Sequence, residues 1–172
     1  MKLFSLLFVT ILVFPGKSVY SQSFEVPKDY EFKVAADYAR YEKDIIAAAK
    51  WLKETSFDEQ KEKRQQVSSF AIQWINGSPT VTVEINPTIM DFEKKNPGML
   101  ALYMACSAQY VLENNYSKDM RAKHRAALRD MIKVYKSGNG IKKDKKMEKL
   151  IKSDEDGKID EWLSENLKVN SN

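Results

Sequence analysis

The chain has 172 residues, carries 28 Lys and Arg against 24 Asp and Glu, and has a formal net charge of +4 at pH 7. So small a net charge does not by itself select a class of partner. The single cysteine excludes an intramolecular disulfide, and the single histidine excludes a zinc site built from several histidines and cysteines.

The N-terminal end of the chain has the organisation of a signal peptide. A positive start at Lys2, an apolar run over residues 3–14 and small or medium side chains over residues 19–21 predict cleavage after Ser21. The apolar run is shorter than the roughly 20 residues that a membrane span needs. We therefore expect a cleaved signal peptide (1–21) and a single helical domain (22–172) that is periplasmic or secreted and soluble after signal-peptide removal. The alternative is an uncleaved N-terminal anchor.

Apolar residues recur at helical spacing along the rest of the chain, and this pattern predicts an all-α, single-domain bundle of five or six helices. The helix expected over residues 97–114 is apolar on nearly all sides, so we place it at the centre of the bundle. Asn96 and Ser117 are expected to cap helices, and Gly77 is expected to end one in the left-handed conformation. The other helices are expected over residues 29–53, 56–76, 117–137 and 142–152 and from residue 158 onward, and residues 88–95 are a candidate for an additional short helix.

A short extended segment is predicted over residues 80–85, after a helix break at residues 77–79. Apolar and polar side chains alternate along it, which predicts that Val81, Val83 and Ile85 face the core. A lone extended segment has no sheet of its own, so side chains, water or another chain must satisfy its backbone. The pattern therefore allows a homodimer through this segment, with a partner-binding edge formed by Thr80, Thr82 and Glu84.

Residues 118–152 hold 13 Lys and Arg against 4 acids, so positive charge is concentrated there. One interpretation is a face that binds an anionic envelope component or another protein; the other is that acidic parts of the same chain neutralise it. Aromatic residues for base stacking are sparse in this block, so we expect no nucleic acid partner. The candidate anion-binding residues are Arg121, Lys123, Arg125, Arg129, Lys133, Lys142, Lys143, Lys145 and Lys146.

Signatures of catalysis and metal binding are weak. Cys106 lies in an apolar helical context and is expected to be buried, whereas His124 lies among cations and is expected to be an exposed helical residue with a lowered pKa. The turn over residues 153–159 resembles a calcium-binding loop, but Lys152 and Leu163 stand where such a loop needs an acid and a bidentate Glu. We therefore predict no catalytic residue, no cofactor and no metal.

Three motifs accompany the predicted signal peptide. They are W-I-x-G-S-P-x-V-x-V from Trp74, the apolar helix with Tyr103-Met104-Ala105, and K-x-G-x-G-I-x-K-D over residues 136–144. Together these features resemble small exported helical proteins of gram-negative bacteria that have no assigned activity. The resemblance implies a single helical domain and assigns no functional residue.

These observations predict an exported, non-enzymatic helical module that binds a ligand or takes part in assembly. The alternative is a hydrolase-like enzyme whose site is built from scattered polar residues near Gly77-Ser78-Pro79. A concave site with convergent titratable groups would favour the enzyme.

Overall fold

The computed structural model describes residues 23–168, so the predicted signal peptide lies outside the described residues. Within that range the chain forms eight α-helices and no β-strand, which confirms the all-α prediction and shows that five or six helices is too low a number. The helices are α1 (Ala35–Arg40), α2 (Glu42–Glu54), α3 (Lys61–Gly77), α4 (Pro87–Lys95), α5 (Met99–Glu113), α6 (Met120–Ser137), α7 (Lys145–Glu155) and α8 (Ile159–Leu167).

The first predicted helix is in fact two helices. The chain leaves helical geometry at Tyr41, whose φ of −99° and ψ of 7° separate α1 from α2. The Tyr41 ring packs edge-to-face against Phe32 and Phe70, with ring centroids 5.6 and 6.1 Å apart. The apolar spacing runs through Tyr41 without a break, so the spacing pattern does not predict the bend, and the packing of these aromatic rings is consistent with it.

The central helix of the bundle is α5, as its apolar sequence predicts. It contacts α2, α3, α4 and α6, and almost every residue from 99 to 111 is buried. Neighbouring helices contribute fully buried rings such as Trp51, Trp74 and Phe92. Cys106 lies within this core, where burial raises the pKa of its thiol, and the expectation of a buried cysteine is confirmed.

The predicted caps Ser117 and Asn96 are both wrong. α6 begins after Asp119, whose side chain accepts a hydrogen bond from the Ala122 N–H at 2.9 Å. α5 begins after Gly98, which has a left-handed φ of 103°. In both places two residues suited to a helix start stand close together, and the sequence pattern does not tell which one the chain uses.

The end of α3 also differs from the prediction, because Gly77 is not left-handed. Gly77 is the last residue of the helix, Ser78 after it is extended with φ −62° and ψ 127°, and Gly77 allows a close approach instead. A Cβ atom at position 77 would lie 2.8 Å from Cζ of Tyr38. The Tyr38 ring is held by stacking on Phe32 and by donation of its hydroxyl to the Phe32 carbonyl at 3.2 Å. Glycine is therefore required here for space and not for backbone conformation.

Replacing Gly77 with alanine is expected to lower the free energy of unfolding by about 1–2 kcal/mol, since the added methyl group overpacks against Tyr38. At an open helical position the same change normally stabilises a protein by up to about 1 kcal/mol. A destabilisation by Gly77→Ala would therefore indicate the close contact with Tyr38. Urea denaturation measures the change. The loss of stability should be smaller in a Tyr38→Phe background, which lacks the hydroxyl oxygen nearest to the added methyl group. An equal loss in both backgrounds would contradict this contact.

Candidate functional site

Residues 80–85, which we call the crossing segment, run between α3 and α4 without regular secondary structure. Val81 is only 3% exposed and Val83 is partly buried, but Ile85 is 42% exposed. The predicted inward face is therefore correct for Val81, partly correct for Val83 and wrong for Ile85. The chain turns into α4 directly after Ile85, where the Asn86 side chain accepts a hydrogen bond from the Ile89 N–H.

Side chains take the place of a neighbouring strand along the crossing segment. The Lys123 ammonium donates to the Thr82 carbonyl at 2.7 Å, and the Tyr103 hydroxyl donates to the Glu84 carbonyl at 3.3 Å. Lys118 reaches the Thr80 carbonyl at 3.5 Å. The carbonyl groups of the predicted partner-binding edge are thus occupied within one chain. A homodimer through this edge stays a prediction.

Four polar side chains meet beneath the crossing segment, and we call Glu84, Tyr103, Lys123 and His124 the buried polar cluster. Lys123 pairs with Glu84, and His124 shares a hydrogen bond with Tyr103 through its Nδ1. Lys123 and His124 are each 3% exposed, so the expectation of an exposed His124 is wrong, and Lys123, a candidate anion-binding residue, is buried. Both residues precede the buried pair Ala127 and Leu128 by four positions, a spacing that places them on the inner face of α6.

The buried polar cluster holds its histidine neutral. Burial, with a smaller contribution from Lys123, lowers the pKa of His124 to about 4, although Glu84 lies 3.8 Å from its Nε2. Burial and the Glu84 carboxylate raise the pKa of Tyr103. At neutral pH the only charges in the cluster are those of the Lys123–Glu84 pair. The hydrogen bonds of the buried polar cluster hold the crossing segment against α5 and α6.

The hydroxyl of Ser78, in the region of the enzyme alternative, serves the local turn. It accepts hydrogen bonds from the Val81 N–H at 3.1 Å and the Thr80 N–H at 3.3 Å. His124 is hydrogen-bonded to Tyr103 and not to Ser78. The enzyme alternative stays a prediction.

Most of the predicted anion-binding residues on α6 face acids of α7 and α8. Arg125 pairs with Asp160 at 2.6 Å, and Arg129 pairs with Asp154 at 2.9 Å. Arg121 donates to the Asp160 carbonyl and to Ser164. Two further residues of the set, Lys133 and Lys146, pair with Asp130 and Asp91. Over residues 23–168 the members of the set without an ion pair are Lys142, Lys143 and Lys145, all exposed.

A cleft of about 810 Å³ opens beside Lys142. It is bounded by parts of residues 57–68, 93–101 and 140–142, and we call it the basic cleft. Its lining includes the side chains of Phe57, Asp58, Lys61, Arg64, Gln65, Ser68, Glu93, Lys95 and Lys142.

The loop that closes one side of the basic cleft belongs to the K-x-G-x-G-I-x-K-D motif. The Asn139 carbonyl accepts a hydrogen bond from the Phe57 N–H at 3.1 Å. Gly140 has a φ of 70° and lies so close to Asp58 that a Cβ atom would approach the Asp58 backbone nitrogen to 2.5 Å. The Asn96 side chain accepts from the Lys142 N–H at 2.7 Å and donates to its carbonyl at 2.9 Å. These contacts position Lys142 at the cleft.

Arg64 forms part of the wall of the basic cleft and is only 7% exposed. Its terminal nitrogens donate to the carbonyls of Leu52 and Thr55 at the end of α2, at 2.9 and 3.0 Å. Its guanidinium carbon lies 4.0 Å from the centroid of the Phe57 ring. No carboxylate of the described chain pairs with Arg64, its Nε has no hydrogen-bond partner there, and burial lowers its pKa to about 10.

Three lysines at the basic cleft add positive charge that the described residues leave unpaired: Lys61, Lys95 and Lys142. The two carboxylates of the cleft have other partners. Glu93 accepts hydrogen bonds from the N–H groups at the start of α5, including that of Leu100 at 2.9 Å. A hydrogen bond from Ser56 lowers the pKa of Asp58. The cleft therefore has a surplus of cations suited to an anion.

Sequence reasoning missed Arg64, Lys61 and Lys95 because they lie outside the dense basic block. A signal for Arg64 was present, since it precedes the buried Val67 by three residues and so continues the apolar row of α3. An arginine on an inward row needs a buried partner for its charge.

Searches against protein-family models, curated proteins and solved structures give no match to this chain. Within residues 23–168, no helix has the length and apolar character needed to cross a membrane. The same range contains no group of three His, Cys, Asp or Glu side chains placed to hold a metal ion.

Proposed function

We propose that this chain is an exported, non-enzymatic binding module that takes an anionic ligand in the basic cleft. The observation that carries the proposal is Arg64, a buried guanidinium without a carboxylate partner at the wall of the cleft. A buried charge is costly unless an opposite charge or several hydrogen bonds compensate it. The carbonyls at the end of α2 supply part of that compensation, and a bound anion supplies the rest.

The size and construction of the basic cleft support this proposal. Its volume of about 810 Å³ lies in the range of sites that enclose small ligands. The loop carrying Lys142 is held by Asn96 and by the Phe57 backbone, so part of the site is organised before the ligand arrives. Gln65 and Ser68 line the cleft with polar groups that have no hydrogen-bond partner within the described chain.

A binding role is favoured over catalysis by the titratable groups of the basic cleft. Glu93 and Asp58 are both engaged in hydrogen bonds to their own neighbourhood. The chain's one histidine lies in the buried polar cluster, where it is neutral and bonded to Tyr103. Neither arrangement provides a base aimed at a ligand. Export is proposed on the signal-peptide pattern alone.

Heparin binding tests the proposal. The double variant Lys61→Gln, Lys95→Gln is expected to bind heparin about tenfold more weakly than the unaltered protein, because the cleft loses two cations that have no ion pair. Binding of the unaltered protein should weaken steeply from low to physiological salt. Isothermal titration calorimetry measures both effects. These lysines are exposed, so the variants are expected to fold, whereas Arg64 also supports the end of α2.

Lys133→Gln is the matched control, since Lys133 is an exposed lysine of α6 already paired with Asp130. It should bind heparin as the unaltered protein does. No heparin binding at low salt, or the same loss in the control as in the double variant, would refute the proposed function.

A further inference from the structure

A second hollow adjoins the basic cleft. It measures about 540 Å³, lies between the end of α4 and the start of α7, and shares Lys95 with the basic cleft. Two of its three acids are engaged: Lys146 and Lys94 hydrogen-bond to Asp91 and lower its pKa to about 2, and Asp144 accepts from the Lys146 N–H. The third acid, Glu148, has no ion pair over residues 23–168, so it offsets only part of the lysine charge there. We call this the α4–α7 hollow.

Unpaired positive charge continues from the basic cleft into the α4–α7 hollow. Lys142 lines the cleft, and Lys143 and Lys145 line the hollow directly after it in the chain. All three are exposed and have no ion pair over residues 23–168. A small anion in either site leaves the lysines of the other uncompensated, whereas an extended ligand with repeated negative charges reaches both.

The polar lining of the basic cleft favours a sugar chain over other polyanions. Gln65 and Ser68 offer hydrogen-bonding groups for hydroxyls. Phe57 is the one aromatic residue that lines the two sites within the described chain, and Arg64 covers one face of its ring, so a row of aromatic rings for stacking successive bases is missing there. A flat bilayer surface does not enter a concave cleft walled by α3, α4, the start of α5 and the 140–142 loop.

We infer that the ligand is a linear acidic oligosaccharide that lies in the basic cleft, passes Lys95 and continues into the α4–α7 hollow. This inference rests on the proposed function and extends it to a second site. Carboxylate or sulfate groups along the oligosaccharide balance the positive charges of Arg64 and of the five unpaired lysines. The sugar hydroxyls form hydrogen bonds with Gln65 and Ser68.

Heparin fragments of increasing length, from disaccharide to octasaccharide, test the inference by calorimetry. Affinity is expected to rise about tenfold over the series and then level off, because longer fragments reach the second set of lysines. The double variant Lys143→Gln, Lys145→Gln should keep the affinity for the shortest fragment and lose the gain with length. Lys133→Gln should retain the gain.

An affinity that does not change with fragment length would overturn the two-site inference, as would a Lys143→Gln, Lys145→Gln variant that keeps the full gain. Tighter binding of a single-stranded oligothymidylate of equal charge would overturn the sugar class. None of these results would contradict anion binding in the basic cleft. The proposed function fails separately, if the Lys61→Gln, Lys95→Gln variant binds every fragment as well as the unaltered protein.

Discussion

Glu84→Gln is expected to lower the free energy of unfolding by about 2–3 kcal/mol, because it leaves Lys123 charged and buried without its counter-ion. The side chain of Lys123 is 4% exposed, so water does not replace the lost carboxylate. The partial exposure of Glu84 places the expected loss below that of a fully buried pair. The amide of glutamine still accepts a hydrogen bond, so the change reports mainly on charge.

A double-mutant cycle with Lys123→Met separates the loss of the Lys123–Glu84 ion pair from an unrelated loss of stability. Lys123→Met alone should cost less than Glu84→Gln, about 1 kcal/mol, since Glu84 retains contact with solvent while the Thr82 carbonyl loses one donor. Adding Lys123→Met to Glu84→Gln should restore stability relative to Glu84→Gln alone. Urea denaturation measures all four proteins. Strictly additive losses would show that the pair is not coupled.

Acid is expected to destabilise the protein through His124 by about 3 kcal/mol between pH 7 and pH 4. The unfolded chain binds a proton at this histidine near its ordinary pKa of 6.5, whereas burial lowers the pKa of folded His124 to about 4. Between these values the unfolded state binds more protons, so the free energy of unfolding falls as the pH falls. The stabilisation is present above pH 6.5 and is lost as the pH falls toward 4.

The control for this effect is His124→Gln, which removes the only histidine of the chain. All carboxylates remain in both proteins, so the difference in unfolding free energy between them isolates His124. That difference should be constant above pH 7 and should shrink by about 3 kcal/mol at pH 4. Parallel stability profiles for the two proteins would contradict a buried, neutral His124.

The unpaired cations of the basic cleft and the α4–α7 hollow were only partly predictable from the sequence. Lys142, Lys143 and Lys145 were identified because local charge density marks a basic block whatever the fold. Arg64, Lys61 and Lys95 come from distant parts of the chain and meet at the cleft only when α3, the end of α4 and the 140–142 loop come together. Most of the remaining predicted cations proved to be paired, since ion pairs between α6 and the helices that follow depend on packing.

The sequence by itself determined the helical class and the central place of α5, because both follow from local periodicity and from a run of apolar residues with no polar face. Tertiary structure decided the rest. Aromatic packing around Tyr41 divided the first helix, and the position of Tyr38 gave Gly77 its role. His124, predicted to be exposed, and Lys123, predicted to bind anions, are both buried on α6. There they form part of the polar cluster that holds the crossing segment in place. These outcomes depend on contacts between residues far apart in the chain, which a spacing pattern does not encode.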